Sequence, residues 1–209
     1  MGCIFVLHWF EIDAICFKNF KMIRPGNITW IWTLIFCGIF AIADAQEKLQ
    51  AEEIIWHVKA IHPKGNTMDV KAFNENGDRF DVKAIEDAEQ SYIMEVRAIV
   101  NGRGVPVKVL VSEEENKPLA GIDDNGNTYV LKAITTDGKY LPVKGVRKSG
   151  YIIHVKAVNE DGSFYGVKAL STAGKLRDVK GVKMYDKQLE ETLNGVPVHA
   201  HVVALPQIQ

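Results

Sequence analysis

Cysteine is scarce and badly placed for a disulfide framework. The three in the chain are Cys3, Cys16 and Cys37, and none follows. Everything downstream can therefore form no disulfide and offers no thiolate as a nucleophile or metal ligand. A surplus of one charge is missing too, since the formal net charge is -1. Setting aside residues 1–45 takes away Lys18, Lys21 and Arg24 together with Glu11, Asp13 and Asp44, so the remainder stays near neutral. That leaves no electrostatic case for nucleic acid or anionic lipid as a partner. Ser91, Ser112, Ser149, Ser163 and Ser171 fall in or beside turn sequences, and none has the Gly-x-Ser-x-Gly context of a nucleophile elbow.

A long apolar run occurs at Ile28–Ala43, after Arg24, and ends in Ala43-Asp44-Ala45. It falls short of the roughly 20 apolar residues of a membrane span, and the small-residue ending matches a secretory cleavage site. The expectation is a signal peptide cut before Gln46. Residues 1–45 are then an N-terminal extension and signal peptide, with Met22-Ile-Arg-Pro the more ordinary start, and residues 46–209 a β-repeat domain. The bulky Phe36 before Cys37 is unlike the small residue of a lipoprotein signal. The mature chain is expected to be secreted or periplasmic, with no membrane span.

What the chain does have is a repeat. An apolar fraction of 47% with 24% charged residues is globular composition. Within it Val-Lys-Ala plus an apolar residue recurs about every twelve positions: Val58–Ile61, Val70–Phe73, Val82–Ile85, Leu131–Ile134, Val155–Val158 and Val167–Leu170. Variant copies are Val96–Ile99, Val107–Leu110, Val143–Val146 and Val179–Val182, with worn ones at Leu119–Ile122 and Val202–Leu205. Glycine-bearing turns such as Asn74–Gly77, Asp123–Gly126 and Glu160–Gly162 separate them.

With the Val numbered zero, positions -2, 0 and +2 share one strand face, and they are apolar: Met68, Val70, Ala72, or Tyr165, Val167, Ala169. Trp56, Tyr129 and Tyr165 fall in this core register. Lys at +1 and Asp69, Asp81, Glu95 or Asp178 at -1 share the other face. An antiparallel hairpin about Asn76 sets Lys71 opposite Asp81, Ala72 opposite Phe80, Val70 opposite Val82 and Asp69 opposite Lys83. The two-residue Asn101-Gly102 turn likewise sets Val96 opposite Val107. A parallel solenoid is the alternative, but it would stack lysines in ladders about 4.8 Å apart. Pro106, Pro118 and Pro142 at -1 each remove a ladder donor, which argues against one continuous flat sheet. The fold class expected is all-β: an antiparallel meander of about twelve short strands, rolled into a barrel-like or two-sheet arrangement. Asn194-Gly195 predicts one more hairpin at the carboxyl end, in preference to a helical turn over Lys187–Leu193.

Copies such as Phe80-Asp-Val-Lys-Ala-Ile85 and Tyr165-Gly-Val-Lys-Ala-Leu170 carry a resemblance. The repeat resembles an uncharacterised family of secreted proteins from Bacteroidetes-type genomes, with tandem Asp-Val-Lys-Ala-Ile units after a signal peptide, over roughly residues 50–206. The resemblance implies a compartment and a fold pattern. It implies no activity and no site residue.

The remaining chemistry is thin. A glycosidase needs two carboxylates across a cleft, one with a raised pKa, whereas lysines facing Asp69, Asp81 and Asp178 should keep these ionised. Asp123-Asp-Asn-Gly-Asn127 lacks the distal bidentate Glu of a calcium loop and reads as a turn. His57, His154 and His201 share the -1 position, and His199 lies on the face of His201. Two imidazoles at i and i+2, with a third such as His57, are the one set of metal-ligating type, set against their reading as polar partners of lysine. No catalytic, cofactor or metal residue is assigned. The functional expectation is a non-enzymatic secreted or envelope repeat protein that binds a protein or polysaccharide of the cell envelope. The alternative is a hydrolase of envelope polysaccharide using carboxylates or a histidine-bound metal.

Overall fold

The computed structural model describes residues 54–87, 90–183 and 191–207. The expected signal peptide and its expected cleavage site lie outside them. Thirteen strands are formed among the described residues: β1 Ile55–Ile61, β2 Thr67–Phe73, β3 Arg79–Asp87, β4 Gln90–Val100, β5 Arg103–Leu110, β6 Lys117–Ile122, β7 Thr128–Ile134, β8 Tyr140–Ser149, β9 Ile152–Val158, β10 Phe164–Leu170, β11 Leu176–Val182, β12 Glu191–Leu193 and β13 Val196–Pro206. All belong to one antiparallel sheet. The alternative of parallel coils therefore falls, and the all-β meander stands.

Local chemistry sets the hairpins. In the twelve-residue repeats Gly77 N–H donates to the Asn74 carbonyl and Asn74 N–H to that of Asp78, and the same pair of bonds recurs at Asp123, Thr135, Asn159 and Ser171. This is a type I turn closed by a residue in the left-handed region, and Gly77 has φ of 85°. The eleven-residue repeat instead uses Asn101 and Gly102, with φ of 49° and 78°, a two-residue turn of the primed kind. Asn194 and Gly195 do the same between β12 and β13, so the carboxyl end is the expected hairpin.

The sheet closes by branching. β1, β2 and β3 form a three-way junction in which each strand pairs along part of its length with the other two: Lys59 opposite Asp69, Lys71 opposite Asp81 and Lys83 opposite His57. The same junction recurs in β4, β5 and β13, in β6, β7 and β8, and in β9, β10 and β11. Each junction is then joined to each of the other three by one ribbon: β1 with β10, β2 with β7, β3 with β4, β5 with β6, β8 with β9, and β11 with β13. Four junctions and six ribbons have the connectivity of a tetrahedron. Of the twelve strands involved, every one sets +1 opposite +1 in its ribbon and +1 opposite -1 at its junctions.

Branching corrects part of the expected register. Lys71 opposite Asp81 and Ala72 opposite Phe80 are as counted, but that ladder ends at Lys71. Val70 and Val82 do not face each other; they pair with Ala133 and Ala98 across the ribbons, and Asp69 pairs with Lys59 and not with Lys83. The β4–β5 ladder likewise ends at Arg97 opposite Pro106, one rung short of Val96 and Val107. Small meets large at Ala72 and Phe80, as foreseen, and again across the ribbons at Ala133 with Val70 and Ala98 with Val82. Pro106, Pro118 and Pro142 each occupy the last rung before a strand changes neighbour, where a missing N–H interrupts no continuing ladder.

The apolar face points inward from the twelve ribbon strands to one core. It contains Val58, Val70, Val82, Val96, Val107, Leu131, Val143, Val155, Val167, Val179 and Val202, with Trp56, Met68, Tyr129 and Tyr165 at -2. The +2 alanines Ala60, Ala72, Ala84, Ala98, Ala133, Ala157, Ala169 and Ala204 have no exposed surface. Across the ribbons each of these alanines faces a position-zero residue, as Ala133 faces Val70 and Ala98 faces Val82, which leaves little room for a larger side chain.

Candidate functional site

The outward face carries charged groups facing one another at three of the four junctions; at the third the -1 positions are Val130, Pro142 and Pro118. At the first, Lys59 donates to Asp69, Lys71 to Asp81, and Lys83 Nζ lies 2.9 Å from Nδ1 of His57. At the fourth, Lys168 donates to Asp178, and Lys180 Nζ lies 3.0 Å from Nδ1 of His154. At the second, Lys108 meets His201, and Arg97 turns back to Glu95 from the same strand. These side chains are more buried than a wet face implies; that of Lys83 is only 17% exposed. Lysines also face lysines across the ribbons: Lys59 with Lys168, Lys71 with Lys132, Lys144 with Lys156. Like charges across a ladder did not decide the topology, because carboxylates offset at least one lysine of each pair: Asp69 and Asp178 the first, Asp81 the second and Glu114, through Lys144, the third.

The pairs hold their protonation states. The hydrogen bond from Lys59 keeps the Asp69 carboxyl below its ordinary value, and that from Lys71 does the same for Asp81. Burial pushes Asp178 up, but hydrogen bonds from Lys168 and Gln207 outweigh it and the net direction is down. Burial, then the charges of Lys83 and Lys59, lower His57 below its ordinary 6.5. A depressed folded-state pKa gives stability that is present above the unfolded value and lost as pH falls. Urea midpoints should therefore decline as pH drops below about 6.5, where unfolded His57 takes up a proton that the folded ring resists. They should decline again below about 4 as the aspartates protonate. Unchanged midpoints between pH 8 and pH 3.5 would contradict the paired-charge description.

The histidines do not act together. His57, His154 and His201 belong to three different junctions, and a lysine ammonium against Nδ1 of His57 and His154 puts positive charge where a metal ion would sit. Among the described residues no three His, Cys, Asp or Glu side chains gather as a metal site. The Asp123 carboxylate is used by its own turn, accepting from the backbone of Asn125 and Asn127 and from the hydroxyl of Tyr129. It is a turn, as the sequence predicts.

At the fourth junction one lysine is set apart. The -1 position of β10 is Gly166, so Lys156 of β9 faces backbone, whereas Lys168 and Lys180 of the same junction face a carboxylate and an imidazole. Among the described residues Lys156 takes part in no hydrogen bond or ion pair. Its ammonium is held below the usual lysine range by burial and by the charges of Lys180 and Lys168. It lines an open cleft of about 500 Å³ with Glu115, Asn116, Val146, His154 and Phe164, the last half exposed. Sequence reasoning passed over Lys156, although the signal lies in the -1 column: Tyr165-Gly-Val-Lys has glycine where Phe80-Asp-Val-Lys has aspartate.

A family model matches residues 52–205, nearly the whole repeat domain. The chain belongs to the family of unknown function DUF7486. No curated protein and no solved structure matches it. Membership in DUF7486 thus agrees with the resemblance in extent and, like it, supplies no activity. For this DUF7486 domain the Lys156 cleft is the candidate site.

Proposed function

We propose that the protein is exported and works as a non-enzymatic binding protein of the cell envelope, using the outer face of its closed sheet. One observation carries the binding reading: a cleft of ligand-sized volume holds a lysine ammonium that no group among the described residues bonds, beside two lysines of the same junction that are bonded. The -1 aspartates are kept ionised by lysine, so Asp69, Asp81 and Asp178 are poor general acids. Support for export is the Ala43-Asp44-Ala45 site after an apolar run and the absence of cysteine beyond Cys37.

The test combines compartment and retention. Protein isolated from its native host should begin at Gln46, and the mature form should be retained by envelope fractions of that host. A first residue upstream of Trp30 would overturn export. Release of new reducing ends from envelope polysaccharide, abolished by removing a carboxylate, would replace binding by hydrolysis.

A further inference from the structure

We infer that the Lys156 cleft binds the carboxylate of a uronic-acid residue in an acidic polysaccharide. The inference rests on the binding function proposed above and names its ligand. At the fourth junction Lys156, Lys168 and Lys180 share one junction carboxylate, Asp178, whereas the first sets Asp69 and Asp81 among its three lysines. Lys168 and Lys180 already donate to Asp178 and His154. Only the Lys156 ammonium has its donors unengaged. A Cβ built on Gly166 would lie 3.8 Å from Lys156 Nζ, so the missing side chain is the one that would have carried the counter-charge.

The chemistry of the walls narrows the anion. One unengaged ammonium matches a singly charged carboxylate; a phosphate dianion calls for a cradle of several donors. The half-exposed ring of Phe164 beside it offers a flat apolar face to a sugar ring, and the Asn116 amide and Glu115 carboxylate offer a donor and acceptors for hydroxyls. An extended acidic peptide would use the ammonium but not this platform. Glu115 is exposed and of the wrong sign, so it weakens rather than creates the site.

The test is titration of the mature protein with oligogalacturonate, its methyl ester, neutral galactan, polyglutamate and inorganic phosphate. Oligogalacturonate should bind. Esterification or Lys156→Met should weaken binding by about tenfold or more, the scale of a charge-assisted hydrogen bond. Glu115→Gln should strengthen it. Gly166→Asp is the decisive variant, because an added Cβ meets nothing closer than 3.7 Å and the new carboxylate recreates the lysine–aspartate pair found at the first junction and between β10 and β11. It should fold, melt at higher temperature and lose binding. Equal binding by Gly166→Asp and the native protein, or binding of polyglutamate or phosphate as tight as that of oligogalacturonate, would overturn the assignment. If Gly166→Asp still sediments with envelope fractions, the uronate site falls while the binding function stands. If the native protein fails to sediment with them, the function itself falls.

Discussion

Val82→Asp leaves the domain unfolded at neutral pH without denaturant, while Lys83→Gln beside it shifts the urea midpoint only slightly. Val82 is 3% exposed and sits opposite Ala98 in the β3–β4 ribbon, inside the single core. The substitution removes roughly 1.5–3 kcal/mol of apolar burial. It also places an unpaired carboxylate where no lysine can reach, and together these exceed the margin of a typical domain. Lys83 points the other way, toward Asp81 and His57, with Arg97 across the ribbon. Losing a partly screened pair while relieving a like charge should cost no more than about 1 kcal/mol. Circular dichroism against urea separates the two, and equal sensitivity would contradict the face assignment.

Gly181→Ala should destabilise the fold by about 1–3 kcal/mol, and most of that loss should vanish when Val109→Ala is present as well. The +2 position is alanine in most strands, but it is Val109 in β5 and glycine in β6, β8 and β11, and the glycines of β8 and β11 are the two beside Val109. A Cβ at Gly181 would come within 3.0 Å of Val109 Cγ2 and 3.1 Å of Ile153 Cβ, and one at Gly145 within 2.8 Å of Ile153 Cγ2 and 3.4 Å of Val109 Cγ1. One large side chain at a crowded position is thus accommodated by two residues with none. Neither glycine has a positive φ, so packing and not backbone freedom accounts for them. A thermal melt of the double variant no better than the sum of the two single changes would show that the contact is not shared.

Local features were readable from residue order because local chemistry decides them. Period-two alternation placed Val70, Val82, Val167 and Val179 in the core, turn glycines placed the hairpins, and residue counting placed Lys71 against Asp81. Branching was not readable. A hairpin register says which residues would face if two strands stayed together, but not where a third strand takes one away. Three prolines at -1 were the trace of that event, and without partners in view they indicated only that something interrupts the ladder. The site escaped notice for a related reason. Gly166 is an ordinary residue in a strand until Lys156 is known to face it across a junction.

The junction of β4, β5 and β13 joins a hairpin from the first half of the domain to its last described strand, and this governs the order in which the molecule can be assembled. The other three junctions are each made from three consecutive strands and can nucleate as soon as those strands exist. The second cannot: Lys108 and His201 are 93 residues apart, and β13 also supplies the ribbon partner of β11. Until the last strand arrives, the β4–β5 hairpin keeps one unpaired edge, and Val96 and Val107 lack their final cover. Such non-local closure makes for slow folding and leaves an adhesive edge in any chain shortened at its carboxyl end. It also keeps a newly made chain open until β13 has been synthesised.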